Sequence, residues 1–193
     1  MKLHSLYSNP ILFQLWEYIM KKSWLKNTLW IGIGTLGLNI SAKVSIPFWP
    51  LHLTLQSFTV ILIGFIYGSK LGALTVLFYL LEGALGFPVF MGTPQYGIGI
   101  PYMLGPSGGF LIGFVIAAYV SGLLAKKGYG RTRWSAFYIY LLGEMILHIP
   151  GMLWFIHLLG KTLALKNFIF LMPGLFLKTL IGSFTIRHMT RKS

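Results

Sequence analysis

The chain has 193 residues, of which 55% are hydrophobic and only 10% charged, with a mean hydropathy of +0.73. Soluble domains carry about 25% charged residues, so this chain cannot coat a water-soluble globule with its own charge. The net charge of +13 would suit nucleic acid, but the basic residues fall between apolar runs, as the positive-inside rule produces, and the lack of cysteine excludes disulfides, thiolate metal sites and cysteine nucleophiles.

Residues 1–28 form a cytoplasmic segment with Lys2, Lys21, Lys22 and Lys26. No small-residue cleavage site follows an early apolar core, so the segment does not read as a cleavable signal peptide. Within it, Ile11–Met20 fits an amphipathic helix on the membrane surface, with Trp16, Tyr18 and Trp24 at headgroup depth; a frayed tail is the alternative.

Six apolar segments follow, at 29–47, 53–69, 71–87, 108–125, 134–160 and 168–187. A span needs about 20 residues, so the expected fold is an all-α membrane protein with six transmembrane helices over 29–187 and a cytoplasmic tail at 188–193. The second and third segments are short and meet at Gly68-Ser69-Lys70, which predicts a tight helical hairpin. The fifth contains Pro150-Gly151, which should kink or split it. With both termini cytoplasmic, twelve Lys and Arg residues fall inside and two, Lys161 and Lys166, outside; Lys43 and Lys178 lie within spans. The reverse orientation would violate the positive-inside rule.

The connection at 86–107 reads GFPVFMGTPQYGIGIPYMLGPS, uncharged, with five glycines, four prolines and four aromatics. A loop of about 20 residues is either functional or disordered, and disorder favours polar composition, so this one should pack as a lid on the outer face. An interfacial loop resting in the headgroups is the competing reading. Small residues mark helix contacts: Gly105, Gly109, Gly113, Ala117 and Ser121 in one stripe, Gly64, Gly68 and Gly72 in another. In lipid such stripes let backbones approach closely. On the first helix, Gly32, Gly34, Gly37 and Ser41 could dock a partner or pack within the bundle.

A charge near the bilayer centre costs about 2.5–3.5 kcal/mol on insertion scales, so each needs a reason. Lys178 is the strongest case, central in FIFLMPGLFLKTLIGSFTI and some nine residues from the next basic residue. Its ammonium requires an anion: a ligand's, or a carboxylate such as Glu82, in a pair that would only fix helix register. A ligand is favoured, because buried ion pairs add little net stability. Lys43, near the outer end of its segment, has a snorkelling reading as good as a functional one. Glu144 and His148 share a helix face at i, i+4 and could be half a metal site or a proton relay, but nothing supplies the rest, which leaves a local hydrogen bond. His52 caps a helix start or faces the outer headgroups. No Walker A, Rossmann or Gly-x-Ser-x-Gly pattern occurs, so uphill transport would need a partner or an ion gradient.

Three motifs in order, KVSIPFWPLHLTLQSF at 43–58, GALGFPVFMG at 83–92 and GPSGGFLIGF at 105–114, resemble the BioY family, biotin-specific membrane subunits of energy-coupling factor (ECF) transporters. The resemblance spans roughly 29–187. It implies a six-helix S-component bundle, biotin as transported substrate with no cofactor or metal, and either partnership with an ECF module of coupling subunit and ATPases or self-association. Biotin offers an apolar fused ring, a ureido group and a carboxylate, which call for aromatic walls, amide or carboxylate partners and a cation. Gln56 can donate to and accept from the ureido group, Glu82 can accept its N–H donors, and Lys178 matches the family's lysine after a Pro-Gly turn and can meet an oxygen. Phe90, Tyr96 and Tyr102 of the uncharged loop can close over the ring. One departure stands out: many members have an acidic residue directly after that Pro-Gly, where this chain has Leu175. Either Glu82 or Glu144 compensates, or the ligand contact differs. Two alternatives remain: an S component for another carboxylated vitamin, and a membrane-embedded enzyme using Glu144 and His148.

Overall fold

In hydrocarbon a backbone must satisfy its own N–H and C=O groups, and long apolar runs do so as helices. The computed structural model describes residues 23–46, 53–92 and 97–192. The surface helix expected at 11–20 with Trp16 and Tyr18, the expected cap His52 and the lid residue Tyr96 lie outside the described residues. The elements are α1 (Ser23–Lys43), β1 (Ser45–Ile46), β2 (Leu53–Thr54), α2 (Gln56–Tyr67), α3 (Ser69–Ala84), α4 (Ile100–Met103), α5 (Gly108–Lys126), α6 (Arg133–Leu159) and α7 (Lys161–Lys192). The two short strands pair antiparallel, Ser45 with Thr54 and Ile46 with Leu53. Each apolar segment overlaps one helix, the shortest being the 12 residues of α2. Among the described residues, three helices are long and apolar enough to cross a membrane alone: α5, α6 and α7.

At its 12 residues α2 advances about 18 Å, short of the roughly 30 Å hydrocarbon layer. It meets α3 through Gly68 alone, whose φ of +82° makes the turn without the clash a side chain would bring. The tight hairpin expected at 68–70 is thus formed, but Gly68 is its turn rather than part of a continuous helical stripe. The two helices cross at Gly64 and Gly72: a Cβ on Gly72 would lie 2.8 Å from the Gly64 Cα.

α5 packs against α6, α2 and α3, and α6 packs against α7. The small stripe explains the closeness. A Cβ on Gly113 would lie 2.8 Å from the Leu147 Cα, and one on Gly109 would strike the Pro150 carbonyl. Further along, the Ser121 hydroxyl donates to the Ile61 carbonyl at 3.1 Å. Gly105 precedes the helix, and its carbonyl accepts from the Trp154 indole at 3.0 Å. On α1 the small residues divide: Gly34 packs on Thr75 and Tyr67 and Ser41 is buried, whereas Gly32 and Gly37 meet nothing within 4 Å.

Two boundaries differ from expectation. α6 runs unbroken through Pro150 rather than splitting. Pro150-Gly151 lies against α5, with the Phe110 ring filling the space a Gly151 side chain would need. α7 begins at Lys161, not near 168, so the Pro173-Gly174 expected as a turn sits inside a helix. Ala164 and Leu171 pack with Phe155 of α6, and Asn167 is buried, so this stretch is drawn into helix by packing despite Lys161 and Lys166.

Candidate functional site

Where β2 turns into α2, the chain carries Thr54, Gln56 and Ser57 in sequence, and these residues form one wall of a buried cavity. α7 brings Lys178 to the same cavity, and α6 brings Leu147 and His148. Phe110 and Phe114 of α5, with Met91 and Tyr102 of the 86–107 connection, supply the apolar and aromatic side. The cavity volume is about 70 Å³, well below the roughly 300–1,000 Å³ of sites for drug-sized ligands, so its walls must part to admit one.

Lys178 is 8% exposed and Glu144 4%. The ammonium donates to the Ser57 hydroxyl at 2.5 Å, and that hydroxyl donates to Glu144 Oε1 at 3.0 Å. The ammonium lies 3.8 Å from the same carboxylate oxygen and 3.5 Å from the Thr54 carbonyl. The carboxylate facing Lys178 is therefore that of Glu144, not the expected Glu82. Glu82 is half-buried on α3 and does not line the cavity. Glu144 Oε2 accepts no hydrogen bond from the described residues and lies 3.5 Å from His148 Nδ1. His148 instead hydrogen-bonds the Glu144 carbonyl at 2.8 Å, the local bond expected from the i, i+4 spacing, and its ring meets Phe110 edge-on.

Gln56 is buried at the start of α2, and its Nε2 donates to the Tyr79 phenol at 2.7 Å. That phenol donates to the Val89 carbonyl at 2.9 Å. A cavity residue is thus joined through α3 to the uncharged connection. Phe90 follows Val89 inward. Its ring stacks on Tyr102 with centroids 4.9 Å apart, meets Tyr79 edge-on, and occupies the space above Gly83. The Lys43 ammonium donates to the Pro88 and Phe90 carbonyls, each at 2.8 Å, which fastens the connection to the end of α1. Val89, Phe90, Met91 and Tyr102 of the connection are buried, while Phe87, Ile98, Ile100 and Leu104 are exposed, and the connection contains the short α4. Tyr102 lines the cavity, with Phe90 one layer behind it. Burial pushes the Tyr102 phenol up to about 12, so it stays a neutral hydroxyl.

Of the expected site residues the structure brings Gln56, Tyr102 and Lys178 to one cavity, leaves Phe90 behind it and Glu82 outside it. Sequence reasoning missed Ser57 and Tyr79. Ser57 follows Gln56 in the LTLQSF motif, which is the signal that could have found it; Tyr79 carries none beyond a hydroxyl in an apolar run.

A crystal structure at 2.1 Å of the S-component for biotin from an ECF-type ABC transporter aligns with this chain at a TM-score of 0.72 and 24% identity, covering 88% of this chain and 92% of its own. The chain is thus a helical membrane protein with the fold of an ECF S component. The BioY family model matches residues 15–193. Two relatives agree with it: the probable biotin transporter BioY of Pyrococcus horikoshii is 37% identical over 71% of this chain and 80% of its own length, and that of Rickettsia prowazekii is 29% identical over 98% of both. The chain belongs to the BioY family.

Proposed function

We propose that this chain binds biotin as the S component of an uptake system in the cytoplasmic membrane. The observation that carries the reading is the buried cation of Lys178, set beside a neutral amide and aromatic walls in one cavity of a BioY chain. Lys178 donates to an oxygen of biotin, and Gln56 pairs with the ureido group. Tyr102 lies against the ring, with Phe90 supporting it. Glu144, rather than Glu82, compensates for Leu175 as the carboxylate partner of Lys178; Glu82 takes no place in the polar core. The leading N–H groups of α2, at the cavity wall, favour an anionic group on the ligand.

The chain crosses the membrane six times with both termini cytoplasmic, a reading supported by a helix at each of the six apolar segments and by twelve basic residues against two. Residues 1–28 and 188–193 then flank the bundle in the cytoplasm. An ECF module of coupling subunit and ATPases supplies the energy, since this sequence has no nucleotide-binding motif of its own. The enzyme reading of Glu144 and His148 is not favoured, because Glu144 is engaged by Ser57 and Lys178.

Binding of labelled biotin to the purified protein tests the proposal. Saturable binding that unlabelled biotin displaces is expected. No binding at micromolar ligand removes it, and displacement by a different carboxylated vitamin alone would transfer the site to that ligand.

A further inference from the structure

All four arginines of the chain, Arg131, Arg133, Arg187 and Arg191, fall in two short stretches; every other basic residue except the histidines is lysine. The fold brings the two stretches together where α6 starts and α7 ends. There Thr190 donates to the Gly130 carbonyl at 2.9 Å, and the Arg187 guanidinium donates to the Arg131 carbonyl. A groove of about 670 Å³ opens between the two helices at this end. Arg133, Arg187 and Arg191 line it, and none of the described residues lining it is acidic.

Away from the arginines the groove is apolar. Trp134 is 83% exposed and Phe176 60% exposed, so these faces meet the hydrocarbon rather than the protein core. A second groove, of about 590 Å³, shares Phe137 and Phe176 with the first and continues along the same helices to Glu144. From Phe176 to Arg187 is eleven residues of helix, about 17 Å, close to half of the roughly 30 Å hydrocarbon layer. The groove therefore has the length of one leaflet, with positive charge at its rim and aromatic rings below.

We propose that the α6–α7 groove binds one anionic phospholipid, with its phosphate on Arg133, Arg187 and Arg191 and an acyl chain along Phe137 and Phe176 toward Glu144. Guanidinium groups take phosphate oxygens in pairs, which lysine does not, and Arg187 keeps donors beyond the one given to Arg131. The surrounding medium supplies an anion joined to a chain of this length; a protein segment would have to bring an acidic cluster and an apolar stretch in the same register. The site is independent of the transported ligand, and its lipid chain would cover the outer side of the carboxylate that faces Lys178.

Trp134 provides the readout. The full-length protein and its Trp134→Phe variant are placed in phosphatidylcholine vesicles containing rising fractions of phosphatidylglycerol with brominated chains, or of brominated phosphatidylcholine. The difference between the two proteins isolates the quenching of Trp134. Half-saturation at tenfold or more less brominated phosphatidylglycerol than brominated phosphatidylcholine is expected, a preference of at least about 1.4 kcal/mol. Substituting Arg133, Arg187 and Arg191 together by Gln should remove that difference. Equal quenching by the two lipids overturns the proposal, as does a preference that survives the triple substitution. Absence of quenching by either lipid, as a second copy or a partner helix covering the groove would give, overturns it too. The wild-type and Trp134→Phe comparison decides the matter even if the triple variant fails to fold.

Discussion

Lys178 and Glu144 face each other across adjacent helices at 3.8 Å, with the Ser57 hydroxyl accepting from one and donating to the other. Three elements that are distant in sequence, the start of α2, the middle of α6 and the middle of α7, are held at one point by this triad. A buried ion pair gains little over an apolar replacement, yet removing one partner leaves a stranded charge. The triad therefore makes the cation available to a ligand at a cost that its own partners only partly offset.

Replacing Lys178 by Ala should weaken biotin binding by about tenfold or more, roughly 1.4 kcal/mol, in an equilibrium binding measurement. Unchanged affinity would assign Lys178 to structure alone.

Replacing Glu144 by Ala should cost about 3–5 kcal/mol of stability, because it leaves the ammonium uncompensated. The double change Glu144→Leu with Lys178→Met should regain most of that loss in a thermal unfolding scan, while biotin binding stays lost. A double variant as unstable as Glu144→Ala would show that the ion pair itself holds the helices together.

Tyr79→Phe deletes the link between Gln56 and the Val89 carbonyl. Leaving a buried amide and carbonyl without their partner costs about 1–3 kcal/mol, and faster biotin release should accompany the loss. Dissociation followed by filter binding measures it. A release rate equal to that of the unaltered protein would disconnect the cavity from the loop.

Lys43→Met removes the donor to the Pro88 and Phe90 carbonyls. Amide hydrogen exchange in residues 86–92 should then accelerate by about tenfold or more, since even one hydrogen bond to a charged group is worth about 1.5–3 kcal/mol. Exchange confined to its original rate would mean that the Phe90 stack alone holds this segment.

Gly113→Leu should abolish a folded, monodisperse protein, because a Cβ there already lies 2.8 Å from the Leu147 Cα, whereas Gly37→Ala meets open space and should be tolerated. Size-exclusion profiles of the two variants in detergent compare them directly.

The helices and their close contacts were legible in the sequence, because apolar length and small residues at intervals of four act locally along the chain. Which carboxylate faces Lys178 was not. Glu82 and Glu144 both interrupt apolar runs, and only the adjacency of α6 and α7 separates them. The start of α7 was hidden for a related reason: Lys161 and Lys166 read as a loop, but Ala164 and Asn167, three residues apart, turn inward, and helical spacing puts the lysines on the exposed face. Pro173 is tolerated inside that helix, where neighbouring groups can re-satisfy the backbone. Tyr79 escaped notice because the order of residues carries no sign of which hydroxyl will find a buried carbonyl ten positions away.

The brevity of α2 makes the two exits from the cavity unequal. Toward Gly68 stands a continuous helix of about 18 Å, locked to α3 and α5 by glycines that leave no slack. In the opposite direction lie a two-residue ribbon and a connection fastened by a handful of hydrogen bonds. Thermal opening will breach the weaker barrier first, so a captured molecule left to itself returns the way it came. Delivery past the stronger one demands work performed on the bundle as a whole.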